Sequence, residues 1–153
     1  MIAKACGVLA VLGLGCCTNE SVSTGPHHPA RGEATRTSSG PANGCSAAEL
    51  KKPARKVIRG LATYYADSLA GNHTANGEHY DPGVLSAAHL SLPFGTRLRV
   101  TRTDMRSSPI VCVRVNDRGP YGNSSYILDL SRRAADRLRM IRAGVVPVNI
   151  DVL

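Results

Sequence analysis

VCVRVNDRGPYG, residues 111–122, is the stretch on which the fold turns. Val111, Val113 and Val115 alternate with Cys112, Arg114 and Asn116, the period-2 pattern of a half-buried strand, and Gly119 and Pro120 then break the run. Asp117 therefore falls at a strand end, where a rigid element delivers a side chain into a cleft. Upstream, HTANGEHYD at residues 73–81 sets turn residues beside Glu78 and Asp81, and His89 follows. Carboxyl groups and a histidine are the residue types that acid/base chemistry needs.

Outward from that strand the elements are short. Leu61 to Tyr65, Ser86 to His89, Thr96 to Thr101, Ile110 to Asn116, Ile127 to Leu130 and Val148 to Leu153 read as strands, with Gly and Pro in nearly every gap. One helix is expected from Arg132 to Ala143, with Ser131 as N-cap, Ala134, Leu138 and Ile141 on one apolar face, and Gly144 just past the end. Many short strands with a single short helix favour an all-β small barrel over a sandwich. The apolar periodicity is confined to residues 57–153, enough for one independent, small core. Neither an internal repeat nor a second domain is expected.

Ahead of that domain, Lys4 precedes an apolar run from Ala5 to Leu14 that ends in Gly15, Cys16 and Cys17. Such a run is too short to cross a bilayer as a stable helix, so residues 1–17 read as a secretion signal. The adjoining cysteines resemble the lipobox of bacterial lipoproteins, which implies a lipid on Cys16 or Cys17. Cutting before Cys16 puts Gly13 where that motif prefers leucine, whereas cutting before Cys17 puts Leu14 there and leaves Cys16 at the junction. A simple signal peptide is the rival reading. Either way the chain is expected to be exported, and to act in the cell envelope, lipid-anchored or free in the periplasm.

Residues 18–56 read as a flexible linker. Ser, Thr, Gly, Pro and Asn dominate residues 18–48, and such a composition buries too little apolar surface to offset its ordering entropy. His27 and His28 lie there without further ligands nearby and read as solvated. The formal charge of +8 suggests anionic surroundings, whether nucleic acid, anionic lipid or an acidic wall polymer. Six of the 19 basic residues, Arg31, Arg36, Lys51, Lys52, Arg55 and Lys56, belong to the linker, so much of the excess sits on a tether. No basic helix and no basic strand interleaved with aromatics supports nucleic-acid binding.

Of five cysteines, only Cys45 and Cys112 lie outside the export segment. In an oxidising compartment they can pair and pin the tether to the barrel; two unpaired thiols are the alternative. No CxxC pair is present, so no metal site is expected, and no cofactor.

The run GLATYYADSLAGNHTANGEHYDPGVLSAAHLSLPFGTRLRVTRT, followed by VRVNDRGPYG, ILDLSRRAADRL and GVVPVNIDVL, resembles the RlpA (rare lipoprotein A) family of endolytic lytic transglycosylases. TANGE, the AAH block with LPFGT, NDRGP and DLS stand in the family's order across residues 60–153. The resemblance implies a six-stranded double-psi β-barrel, distantly similar to expansins and barwin, with an open groove for peptidoglycan glycan strands. It also implies that Glu78, His89 and Asp117 are the functional residues, with Asp81 a weaker neighbour. In two respects the sequence departs from the family: Tyr126 stands at or near the usual arginine before the DLS segment, and no SPOR targeting domain is expected.

Such an enzyme cleaves the β-1,4 bond between N-acetylmuramic acid and N-acetylglucosamine and leaves a 1,6-anhydro end. The expected roles are Asp117 as acid and then base, Glu78 as stabiliser of the developing charge or sharer of the proton work, and His89 as a group that orients a carboxylate or hydrogen-bonds the glycan. Tyr65 and Tyr121 are candidates to stack on sugar. Each has a bland rival: Asp117 as turn former, Glu78 as solvated loop charge, His89 as structural histidine. Asp129 is expected to organise backbone amides near Ser131, Arg118 to face away from Asp117, and Phe94 to pack. The alternative function is a non-catalytic, expansin-like glycan-binding module; a monomer is expected in both cases.

Overall fold

The computed structural model describes residues 41–153; the readings on the signal, on Cys16 and Cys17 and on most of the linker fall outside the described residues. Six strands close into a barrel in the order β1-β5-β2-β4-β3-β6. They are β1 (Lys56–Tyr64), β2 (Ser86–Ala88), β3 (Arg97–Arg102), β4 (Ile110–Asp117), β5 (Tyr126–Leu130) and β6 (Val146–Val152). β1 runs parallel to β5 and β2 parallel to β4, and the remaining neighbours are antiparallel. Parallel neighbours cannot be joined by a tight hairpin, so long connections cross the barrel ends, and these connections carry the site.

The expected all-β barrel is what the sequence forms. Leu98, Val100, Val111, Val113, Val115, Leu128, Leu130 and Ile150 are fully buried and fill its interior. Each large aliphatic side chain buried this way contributes about 1.5–3 kcal/mol against exposure, which closes the barrel without any aromatic centre. β1 begins five residues earlier than expected, because Lys56 to Gly60 pair with Val152 to Val148 of β6. Of those five, only Ile58 packs against the core, so apolar alternation there is too thin to read.

Two expectations are corrected by what covers the barrel. β4 is buried on both faces, not one: Cys112 and Asn116 are as inaccessible as the valines between them. Cys112 is bonded to Cys45, with their Cα atoms 4.9 Å apart, and packs with Leu153 and Ile110 in a small second core. Residues 45–52, read as part of a flexible linker, instead hold a helix, α1 (Ala47–Lys51). Its capping box joins Ser46 and Glu49 reciprocally, at 3.1 and 2.8 Å, and Arg97 and Arg99 bind Glu49, Leu50 and Lys52.

The expected twelve-residue helix is only α2 (Arg132–Arg137). Ser131 caps it as anticipated, but it ends at Leu138, because Arg139 takes the left-handed conformation at φ 54°. Arg139 N–H then donates to Asp136 O and Met140 N–H to Ala135 O, at 2.8 and 3.0 Å, the paired bonds of a Schellman turn. Buried Arg102 fixes this end by donating to the Leu138 and Arg139 carbonyls while paired with Asp104. Gly144, the expected stop, closes a later turn onto Met140.

Candidate active site

Asp117 ends β4 where the ladder to β2 slips. Ala87 pairs with Val115 but Ala88 with Asp117, so Asn116 is unmatched, the kind of bulge that re-aims a side chain. The Asp117 carboxylate is held by three donors. Oδ1 accepts from the N–H groups of Ala75 and Arg118, both at 2.8 Å, and Oδ2 accepts from the Tyr65 hydroxyl at 2.6 Å. Ala75 belongs to the TANGE turn, itself docked on β4 by Asn76 N–H to Asn116 O at 3.2 Å.

Tyr65 leads onward. Burial, then the hydrogen bond to Asp117 and the Asp117 and Asp129 charges, push its hydroxyl well above the usual phenol range, so it stays a donor. Its ring lies 4.8 Å from that of Tyr80, whose hydroxyl accepts the Arg132 N–H at 3.2 Å at the start of α2. An aromatic pair thus braces Asp117 against the helix.

Asp129 is the residue whose role differs from expectation. It lies on β5 between Ala88 of β2 and Thr63 of β1, and it organises no amide near Ser131. Ser131 Oγ accepts from Ala134 N–H at 3.4 Å and from Ser86 N–H at 3.3 Å, which leaves no amide there for a carboxylate. Burial first, and the Asp117 charge second, push the Asp129 carboxyl up to about 6, and no hydrogen bond offsets them. Gly119, at φ 141°, lies against it: a Cβ there would sit 3.6 Å from Asp129 Oδ2, 3.8 Å from Ala88 Cβ and 4.0 Å from the Tyr121 ring. The signal existed in the sequence, an acid flanked by leucines in a strand, and a short local hydrogen-bonding role was the wrong account of it.

The other expected residues divide. Glu78 is exposed and its Oε2 is taken by Arg114 at 2.7 Å and Asn116 at 3.1 Å. Those bonds, Arg114 foremost, hold its carboxyl down at about 2, so it anchors the turn that feeds Ala75 to Asp117 and has no proton to give near neutral pH. His89 is buried, and its Nδ1 accepts from Ser91 and Leu92 N–H groups at 3.2 and 3.1 Å. Burial, helped by Lys56 and Arg118, lowers its pKa and keeps the ring neutral. Its link to Asp117 is through the main chain, His89 N–H to Asp117 O at 3.2 Å. Asp81 bonds the Gly83 amide at 2.7 Å and shapes a turn.

The Arg118 side chain does not pair with the Asp117 carboxylate, although its Nη1 donates to the Asp117 carbonyl at 3.4 Å. Its guanidinium donates to the His89 and Leu92 carbonyls and sits 3.7 Å from the Phe94 ring centroid, so Phe94 packs a cation, half exposed. Tyr121 is 76% exposed beside Gly119, a free aromatic face on the rim. Among the described residues no group of three or more His, Cys, Asp or Glu side chains is placed to hold a metal ion.

A closed six-stranded barrel with two parallel pairs, bearing a hydrogen-bonded and a desolvated aspartate side by side, defines the double-psi β-barrel class with a carboxyl-based site. The family model described as lytic transglycolase matches residues 57–150, and the chain belongs to that family. A probable endolytic peptidoglycan transglycosylase RlpA of Nostoc sp. is 50% identical over 101 residues, covering 65% of this chain and 26% of the relative. The Yersinia pestis endolytic peptidoglycan transglycosylase RlpA is 45% identical over 111 residues, covering 72% and 29%. The chain therefore spans between a quarter and a third of these relatives. Among solved structures, Streptomyces papain inhibitor aligns at TM-score 0.51 and 23% identity, over 66% of this chain and 97% of that one. The apo expansin of Clavibacter michiganensis aligns at 0.51 and 23%, over 64% and 50%, and both likenesses concern the fold alone.

Proposed function

We propose that this domain cleaves peptidoglycan glycan strands as a lytic transglycosylase, with Asp129 as the proton carrier. The observation that carries this reading is the pairing of an aspartyl group raised to about 6 with a second aspartate that three donors keep in place. Asp129 gives its proton to the glycosidic oxygen as the bond to the anomeric carbon breaks. The Asp117 side chain, held by its three donors, stabilises the positive charge that develops on the sugar. The C6 hydroxyl of the same sugar then bonds to the anomeric carbon and returns its proton to Asp129, so no water enters and the 1,6-anhydro ring closes. Asp117 was the expected acid; its two oxygens are already taken by three donors, whereas Asp129 accepts no hydrogen bond among the described residues.

Glu78 and His89 support the site by positioning Ala75 and the Asp117 main chain, and Tyr121 offers a face to a sugar ring. The relatives' names support a wall substrate and hence action in the envelope, outside the cytoplasm. A lipid on Cys16 or Cys17 would tether the domain there. Digestion of purified sacculi followed by mass spectrometry tests the reading: anhydro-muropeptides or anhydro glycan fragments are expected. Reducing ends would indicate a hydrolase, and binding without release would leave only a glycan-holding module.

A further inference from the structure

His73 and His79 flank the turn that delivers Ala75 to Asp117, and they face each other across its neck. Their pairing is an isolated antiparallel bridge, and its two hydrogen bonds run from the flanking residues, Thr74 N–H to Glu78 O and Tyr80 N–H to Asn72 O, both at 2.8 Å. That is the non-hydrogen-bonded register, in which opposed side chains stand closest and on one face. Both residues are exposed, and their ring centroids lie 4.3 Å apart with the planes tilted by 37°. His79 Nδ1 lies 2.7 Å from the Gly71 carbonyl oxygen, which can only accept, so this nitrogen carries the proton and donates it. Nε2 of the same ring then keeps its lone pair. A ring N–H held by a main-chain carbonyl, with the opposite nitrogen bare, is the arrangement of a metal-bound imidazole.

We propose that His73 and His79 together bind a divalent first-row cation, Zn²⁺ or Cu²⁺, through one ring nitrogen each, with water completing the coordination. Imidazole is a ligand that these ions favour. Two zinc to nitrogen bonds of about 2.0–2.1 Å reach across about 4 Å, so a small turn of the exposed rings brings a nitrogen of each to one ion. The missing CxxC pair argues against a thiolate site, not against an imidazole pair, and among the described residues no third His, Cys, Asp or Glu joins the two. With two protein ligands the ion exchanges, and occupancy follows the surrounding metal concentration. An ion across the neck restrains both ends of residues 74–78, whose Ala75 N–H meets Asp117 Oδ1 at 2.8 Å and whose Glu78 pairs with Arg114. Occupancy therefore steadies the Asp117 carboxylate without touching it. The binding does not depend on the cleavage reading, so the two fail separately.

The test titrates Zn²⁺ into the chelator-treated full chain and follows the ring proton resonances of its histidines. Those of His73 and His79 are expected to shift together along one binding curve while those of His89 stay in place, and Mg²⁺ should move none of them. In His73→Gln the His79 resonance, and in His79→Gln the His73 resonance, should respond only at zinc concentrations at least about tenfold higher. A chain carrying His27→Gln and His28→Gln should keep the wild-type curve. Amide exchange at Ala75 should slow on loading in the wild type and not in either single variant. Shifts confined to one ring, a curve unchanged by either single variant, a curve lost with His27 and His28, or an equal response to Mg²⁺ overturns the metal site. Unchanged exchange at Ala75 in the loaded protein overturns its link to Asp117.

Discussion

The Tyr65 hydroxyl donates to Asp117 Oδ2 across 2.6 Å, joining the residue after β1 to the end of β4. That bond fixes which way the Asp117 carboxylate faces, and it leaves neighbouring Asp129 as the group without a donor. Tyr65→Phe removes the donor and keeps the ring stacked on Tyr80. Turnover on sacculi should fall about tenfold while the melting temperature changes little, since only one hydrogen bond is lost.

The proton carrier sets the pH profile. Burial and the Asp117 charge raise Asp129 to about 6, so the protonated acid is present below that pH and is lost above it. The rate on a soluble glycan should therefore decline as pH rises through about 6. In Asp117→Asn the weaker of the two causes is removed, and the declining limb should move to lower pH without reaching the usual aspartate value. Asp129→Asn should lower the rate at least about a hundredfold at every pH, measured as anhydro product released.

The same group weakens the fold. A carboxyl whose folded pKa lies above its unfolded value of 3.8 costs stability as pH climbs from about 4 to about 6. Asp129→Asn should consequently be more stable than wild type at pH 7.5, by about 1–2 kcal/mol after allowance for solvent screening, and equal to it at pH 3.5. Urea denaturation at the two pH values measures the difference.

Glu49 and Glu78 act in the opposite sense. Arg97 and Arg114 hold their carboxyls at about 2, so their stabilising effect is complete above the ordinary 4.5 and disappears as pH falls toward 2. Both pairs meet solvent, and each contributes under about 1 kcal/mol. Glu49→Gln should flatten the acid limb of a stability-against-pH curve. Loss of the Cys45 to Cys112 bond has a larger effect: the double alanine variant should unfold with about 2–4 kcal/mol less stability and release α1 from Arg97 and Arg99, visible as rapid amide exchange over Ala47–Lys51.

Arg139 sits at φ 54°, where a side chain is strained and glycine is not. Arg139→Gly should raise stability by about 0.5–1 kcal/mol in thermal unfolding, because the Schellman turn it closes is retained.

The strand pattern was legible because it is local. Valines at alternate positions of β4, turn glycines and prolines, and the Ser131 cap all act within a few residues, and they specify a small all-β barrel whose order of motifs matches one family. Asp117 at a strand end was legible for the same reason. What the tertiary structure decided is everything that depends on partners distant in the chain. The Asp129 carboxyl is raised by burial between β1 and β2 and by the charge of a residue on another strand. Glu78 is held low because Arg114, 36 residues away, pairs with it, and Arg102, on β3, binds the Leu138 and Arg139 carbonyls just past the end of α2. A local pattern fixes which residues meet the core, but a carboxyl's proton affinity is set by the desolvation and charge around it, and these are supplied only when the barrel closes.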